Sequence, residues 1–176
     1  MASIATWLKR GRRLFVNRCA DARDIRVRFP RAVLDRLAAR VAASERRHGG
    51  ELLVCIEAGL PWSYIRREAT ARERALTLFG KLRVWDTEDN NGILIYLSLA
   101  EHTIELIADR GLNARVAAER WSAIADELGR ALSDRRFEEG LNQAIDAVTA
   151  LLIAHFPRDG DAPKPNALPD APVVLA

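Results

Sequence analysis

Three short apolar runs restrict the folds open to this chain. Glu51–Glu57 places five apolar residues between two glutamates, residues 93–99 form a second run, and Thr103–Ala108 forms a third. A helical pattern over residues 64–82 separates the first two runs, so we expect a parallel pair joined by a right-handed crossover. Only three residues separate the second run from the third, too few for a crossover. The third strand is therefore predicted to pair antiparallel, as a hairpin.

Amphipathic helices are predicted on both sides of these strands. Apolar residues recur at helical spacing from Pro30 to the Gly49-Gly50 pair, and two further patterns cover residues 117–132 and 137–152. Together these elements predict an α/β fold, a three-layer α/β/α sandwich with a small mixed sheet and helices on both faces. Within residues 64–82, the side chains expected to face the sheet are Ala71, Ala75, Leu76, Phe79 and Leu82.

Length and composition indicate one α/β domain with two appendages. The 176 residues are 49% hydrophobic, enough for one core. We predict a basic N-terminal arm or helix over residues 1–29, the α/β domain over residues 30–156, and a disordered tail rich in Pro, Ala and Asp over residues 157–176. A formal charge of +3 and 6% aromatic residues give no signature of nucleic-acid binding. Cys19 and Cys55 fit neither a disulfide framework nor a zinc site, which indicates a reducing, cytoplasmic location.

The N-terminal arm carries most of the charge asymmetry. Residues 1–30 contain eight basic and two acidic side chains, a balance of +6 that leaves −3 for the rest. A short helix over residues 3–19 could anchor the protein on anionic lipid at the inner membrane face. The alternative, favoured by the weak amphipathic pattern, is an arm whose apolar residues close over the domain. The candidate membrane-contacting residues are Trp7, Lys9, Arg10, Arg12 and Arg13. We expect neither a signal peptide nor a run of roughly 20 apolar residues that could span a bilayer.

A polar loop, residues 86–92, directly precedes the second strand. Carboxylate and amide oxygens at such spacing can surround a hard divalent cation. The candidate ligands are Asp86, Glu88 and Asp89. The loop departs from the calcium-loop template, because Asn91 stands where a glycine is expected and Leu97 where a glutamate is expected. A solvated turn explains the same composition and is favoured.

A second polar stretch, residues 109–113, follows the third strand. Amides at the start of a helix can stabilise a phosphate or carboxylate, and Arg110 could pair with such an anion. The favoured alternative is a strand-to-helix turn in which Arg110 bridges to Asp109 or Glu88. Because the second and third strands are antiparallel neighbours, we expect both stretches at one rim of the sheet. The candidate polar pocket comprises Asp86, Glu88, Asp89, Asn90, Asn91, Gly92, Asp109, Arg110 and Gly111.

The order of these segments resembles the TPM domain family, named for a thylakoid lumen protein, a photosystem II repair protein and a modulator of acetylcholine receptors. The resemblance is carried by residues 90–96 followed by residues 102–112, and it extends over residues 30–156. It implies an α/β sandwich with a polar pocket at the loop ends, and an association with divalent-cation binding, weak acid phosphatase activity or maintenance of membrane protein complexes. Asn90 replaces the usual Asp of the family's Asp-Asn-Gly triplet, and fewer carboxylates mean weaker cation binding.

Two functions follow from these observations. The first is a non-enzymatic TPM-like binding or accessory module of a soluble bacterial branch, with a protein partner such as a membrane protein complex. The second is a phosphatase-like phosphohydrolase, in which Asp86, Glu88 and Asp89 hold calcium or magnesium and Arg110 contacts the phosphoryl group. The chain has no G-x-S-x-G elbow, P-loop or H-E-x-x-H motif, and His48, His102 and His155 lie apart. The first function is therefore favoured.

Overall fold

The computed structural model describes residues 4–158 and 168–176, with side chains from residue 11 onward. Its elements in chain order are α1 (Ile4–Cys19), α2 (Ala22–Arg28), α3 (Arg31–Glu45), β1 (Glu51–Glu57), α4 (Trp62–Arg66), α5 (Ala71–Lys81), β2 (Gly92–Ser98), β3 (Thr103–Ala108), α6 (Arg110–Asn113), α7 (Ala118–Ser133), α8 (Phe137–His155) and β4 (Val173–Leu175).

The strands form one mixed sheet in the order β3-β2-β1-β4. β1 and β2 are parallel along their whole length, with Glu51 opposite Gly92 and Glu57 opposite Ser98. β2 and β3 are antiparallel, with Ile93 opposite Ala108. The predicted parallel crossover and antiparallel hairpin are therefore both confirmed.

Helices cover both faces of the sheet. Because side chains alternate along a strand, Val54 and Ile56 of β1 enter the main core, which α3, α7 and α8 close. Leu53 and Cys55 point to the other face, where they pack against residues of α5. Every residue of β1 and β2 is buried, which explains their near-continuous apolar sequence. The predicted three-layer α/β/α arrangement is confirmed.

The single helix predicted over residues 64–82 is wrong. Glu68 has φ 58, a left-handed conformation that interrupts a helix, so α4 and α5 are separate. Thr70 then caps α5: its side chain accepts from the backbone N–H of Glu73, and the Glu73 carboxylate accepts from the Thr70 N–H. The buried face of α5 also differs from the prediction, since Leu76 is 50% exposed whereas Arg74 is buried.

The expectation of a disordered tail is wrong for residues 168–176. Leu168 is buried in the core beneath α5, and its N–H donates to the Glu51 carboxylate at 3.3 Å. Val173 and Leu175 follow in β4, which pairs parallel to the end of β1. The physical reason is that these aliphatic side chains complete the second core despite the proline-rich composition around them. The remainder of the predicted tail, residues 159–167, lies outside the described residues.

The N-terminal helix α1 docks on the domain. Arg13 binds the Glu101 carboxylate at 3.0 Å and donates to the Ala69 carbonyl at 2.6 Å. Asn17, which is buried, accepts from the Leu60 N–H at 2.7 Å. Since Leu60 follows β1 and Glu101 follows β2, α1 contacts the loops that leave the carboxyl ends of both strands.

Of the candidate membrane-contacting residues, Trp7, Lys9 and Arg10 have side chains outside the described part. In the described residues, no helix has the length and apolar character needed to cross a bilayer.

Candidate functional site: a polar rim at the start of β2

The two polar stretches meet at one rim, as the predicted hairpin requires. The N–H of Asp109 donates to the Gly92 carbonyl at 2.8 Å, and the N–H of Gly111 donates to the Asn90 carbonyl at 3.0 Å. Arg110 Nε donates to Asn90 Oδ1 at 2.9 Å. We call this surface, residues 86–92 with residues 109–111, the polar rim. The polar rim lies at the amino end of β2, whereas α1 contacts the loops at the carboxyl ends of β1 and β2. The two therefore lie at opposite ends of these strands.

Local backbone chemistry explains why these residues form the rim. Asn90 has φ 52, a left-handed conformation that asparagine tolerates well. The Thr87 hydroxyl accepts from the Asn91 N–H at 3.0 Å and closes the loop. Asp109 caps α6 through Oδ1, which accepts from the Arg110 N–H at 2.6 Å. A Cβ on Gly111 would lie 2.6 Å from the Asp89 carbonyl oxygen, so only glycine allows the two loops to approach this closely.

Replacing Gly111 with alanine is expected to separate the two loops. The added Cβ meets backbone oxygens that cannot move independently, and such overpacking lowers the free energy of unfolding by about 1–3 kcal/mol. Urea unfolding gives this quantity. The matched control is Gly129→Ala in α7, where the nearest atom lies at an ordinary 3.6 Å. That variant should gain about 0.5–1 kcal/mol from better helix propensity. Equal stability changes in the two variants would contradict the close approach.

The carboxylates predicted as metal ligands point into solvent. Asp86, Glu88 and Asp89 are all exposed, and Asp86 pairs with Arg83. Across residues 4–158 and 168–176, no group of three or more His, Cys, Asp or Glu side chains is arranged to hold a metal ion. The rim therefore presents no ready-made carboxylate cradle for calcium or magnesium, and the assignment of either ion to it stays a prediction.

Two buried polar atoms at the rim have no hydrogen-bond partner among the described residues. Asn91 is 1% exposed, and its Nδ2 has no hydrogen-bond partner in the described part of the chain. The same holds for Oδ2 of Asp109. A buried polar atom without a partner costs about 1–3 kcal/mol. A ligand that offers an acceptor to Asn91, or a donor to Asp109, would recover part of this cost.

A buried polar cluster that was not predicted from the sequence lies at the other end of β1. Arg74 Nη2 donates to Glu57 Oε1 at 2.6 Å, and the Tyr96 hydroxyl donates to Glu57 Oε2 at 2.6 Å. Burial, and then the hydrogen bond to Glu57, raise the pKa of Tyr96 well above its usual range. A signal for the cluster was present in the sequence, because Arg74 shares a helical face with Ala71 and Leu78. A basic side chain on an apolar face indicates a buried acidic partner.

A second buried network holds α3 against α8. The Ser44 hydroxyl lies 2.8 Å from His48 Nε2 and 2.5 Å from the Thr149 hydroxyl. His48 Nδ1 lies 3.2 Å from the carbonyl oxygen of Gly50. Both ring nitrogens of His48 are thus engaged by protein groups. This histidine serves the packing of the helices rather than the polar rim.

Comparisons with known proteins agree with this architecture. A family model described as "TPM domain" matches residues 28–151. The NMR structure of the BA42 protein from the psychrophilic bacterium Bizionia argentinensis superposes with a TM-score of 0.71 at 22% identity, covering 81% of this chain and 92% of that one. The N-terminal domain of a protein from P. gingivalis gives a TM-score of 0.58 at 20% identity, covering 74% and 82%. No curated protein shows significant sequence similarity to the chain. At these identities the two structures demonstrate a shared fold.

Proposed function

Because the chain belongs to the TPM domain family, we propose that it is a non-enzymatic binding module whose partner contacts the polar rim. The observation that carries the proposal is the pair of buried polar atoms, Asn91 Nδ2 and Asp109 Oδ2. Turns that serve only to connect strands satisfy their buried polar groups internally. At the rim one donor and one acceptor have no partner among the described residues, and this supports the proposal of a binding partner.

The partner that fits this chemistry is a protein. A peptide group offers a carbonyl oxygen to the Asn91 amide and an N–H to the Asp109 carboxylate, so one class of ligand supplies both complements. This agrees with the maintenance of membrane protein complexes that the family resemblance implies. The rim sequence contains no Ser, Cys or His, and the Thr87 hydroxyl is engaged by the Asn91 N–H. Nothing at the rim favours hydrolysis over binding, and the phosphohydrolase stays a prediction.

Amide NMR spectra test the rim with a minimal peptide probe, N-methylacetamide. We expect shifts in the unaltered protein to concentrate at residues 86–92 and 109–111. In Asp109→Asn the cap of α6 is retained, since Asn caps as well as Asp, but the free carboxylate oxygen is gone. The shifts at the rim should therefore weaken several-fold in this variant.

The matched control is Asp126→Asn, which changes an exposed carboxylate on α7. Its amide shifts on addition of N-methylacetamide should match those of the unaltered protein. Parallel titrations with calcium, magnesium and inorganic phosphate separate peptide binding from ion binding. Shifts spread evenly over the surface, or an unchanged response in Asp109→Asn, would contradict binding at the rim.

The second part of the proposal is peripheral attachment to an anionic membrane through α1. Arg13 and Asn17 fix one face of this helix to the domain. The opposite face exposes Arg12, Phe15 and Arg18, and Phe15 is 70% exposed. An exposed aromatic ring between arginines is typical of helices that lie in the interface of an anionic bilayer.

Liposome sedimentation tests this attachment. Each basic side chain near an anionic surface contributes about 1 kcal/mol. Arg12→Glu with Arg18→Glu in the full chain should therefore reduce partitioning onto phosphatidylserine vesicles by about ten-fold or more. The control reverses two exposed charges on α7, Arg120→Glu and Arg130→Glu. Equal losses in both double variants, or equal binding to neutral vesicles, would show that the exposed face of α1 is not the contact.

A further inference from the structure

The outer edge of β1 is only partly covered by a neighbouring strand. On one side, β2 pairs with all seven residues of β1. On the other side, β4 pairs only with the last three, placing Val173 opposite Cys55 and Leu175 opposite Glu57. Residues 52–54 have no strand partner on that side within the described ranges, although the Leu52 N–H already donates to the Glu45 carboxylate at 2.8 Å. A sheet edge of this kind is a template for pairing with an extended chain.

The segment 168–176 shows how an extended chain is held at this edge. The Leu175 carbonyl accepts from the Ala58 N–H at 2.8 Å, which continues the ladder beyond β1. Val173 and Leu175 pack against the core beneath α5, and Leu168 is buried there. Val174, between them, is 40% exposed. Backbone pairing thus supplies the attachment, and alternate aliphatic side chains supply the selectivity.

The strand that this segment forms is short and lies at the edge of the sheet. β4 has three residues, none of them fully buried, and lies at an edge of the sheet. Short edge strands with few buried contacts open at a much lower free energy than the strands they flank. By contrast, β1 and β2 are buried along their whole length.

We propose that the outer edge of β1 is a strand-acceptor site, held in cis by residues 168–176 and open to an extended aliphatic segment of a partner protein. The partner segment lies parallel to β1, with two aliphatic side chains two positions apart in the places of Val173 and Leu175. Covalent linkage gives the cis segment a high effective concentration, so it suppresses weak competitors. This site is separate from the polar rim, and its test does not depend on the function proposed there.

A labelled peptide of residues 168–176 is the probe, added to full-length protein. Val173→Asp with Leu175→Asp places charges against an apolar core and is expected to release the cis segment. This double variant should bind the peptide at least ten-fold more tightly than the unaltered protein. Val174→Asp is the matched control, because Val174 faces solvent, and it should bind as weakly as the unaltered protein. A peptide carrying the same two aspartates should not bind any of the three proteins.

Two results would overturn the strand-acceptor site. One is a folded double variant that does not bind the peptide, and the other is equal binding by all three proteins. Hydrogen exchange on the unaltered chain decides the same question if the double variant does not fold. Amides of residues 173–175 should exchange at least ten-fold faster than those of β2 through a local opening. Equal protection of both strands would show that the segment is not displaceable.

Discussion

Arg74→Ala is expected to lower the free energy of unfolding by about 3–5 kcal/mol, because it leaves the Glu57 carboxylate buried without its cation. Arg74 and Glu57 side chains are only 11% and 4% exposed. Two guanidinium nitrogens of Arg74 contact the carboxylate, at 2.6 Å and 3.0 Å. Water cannot replace this cation without opening the packing between α5 and β1. Urea unfolding at pH 7 measures the change.

The matched control is Arg72→Ala, two residues earlier on the same helix. Arg72 is 60% exposed and pairs with Glu105 at 3.1 Å. Surface ion pairs contribute about 0–1 kcal/mol, so this variant should remain close to the unaltered protein. Replacing both partners, Glu57→Gln with Arg74→Met, should recover most of the loss, since no uncompensated charge is then buried. Similar losses in Arg72→Ala and Arg74→Ala would contradict the assignment of a buried pair.

The elements that follow from local pattern and short connections could be predicted. The four residues between β2 and β3 allow only a hairpin, and the hairpin register brings residues 86–92 and 109–111 together. The contact made by Arg110 could not be predicted in the same way. The sequence suggested Asp109 or Glu88 as its partner, whereas the left-handed backbone of Asn90 presents Oδ1 to the guanidinium instead.

Two features that depend on packing between residues far apart in the sequence were not predicted. β4 pairs with β1 across more than 100 residues of sequence, and a three-residue strand has no periodicity of its own. The burial of Arg74 had a local signal, its position on the apolar face of α5, but that signal does not identify Glu57 as the partner. Both features are tertiary, and the local sequence pattern does not identify the partner on β1 in either case.

Stability is expected to fall as the pH rises above about 9, because the sheet buries two neutral acids. Burial, with a contribution from the negative charge of Glu57, raises the pKa of the Cys55 thiol to about 12. Burial and the hydrogen bond to Glu57 raise the pKa of Tyr96 in the same direction. The two residues are opposite one another in β1 and β2. Both side chains therefore keep their protons more firmly in the folded protein than in the unfolded chain.

The sign of the pH dependence follows from proton linkage. Above the unfolded pKa of Cys55, the unfolded chain releases its proton while the folded protein retains it, so rising pH favours unfolding. The rise in the Cys55 pKa from 9.0 to about 12 corresponds to a loss of about 4 kcal/mol in the free energy of unfolding between these two pH values, at about 1.4 kcal/mol per pH unit. Tyr96 adds a second loss beginning near pH 10, its ordinary value. Below pH 8 neither group makes the free energy of unfolding depend on pH.

Urea unfolding from pH 7 to pH 10.5, under a reductant, separates these contributions. Cys55→Ala costs stability at every pH because it leaves a cavity, but its slope between pH 9 and pH 10 should nearly vanish. Tyr96→Phe should retain that slope and lose only the additional fall above pH 10. Cys19→Ala is the control, since Cys19 is exposed and its removal should leave the profile unchanged. An unchanged slope of the free energy of unfolding in Cys55→Ala would mean that water reaches the thiol in the folded protein. This result would contradict the close packing of α5 against the sheet.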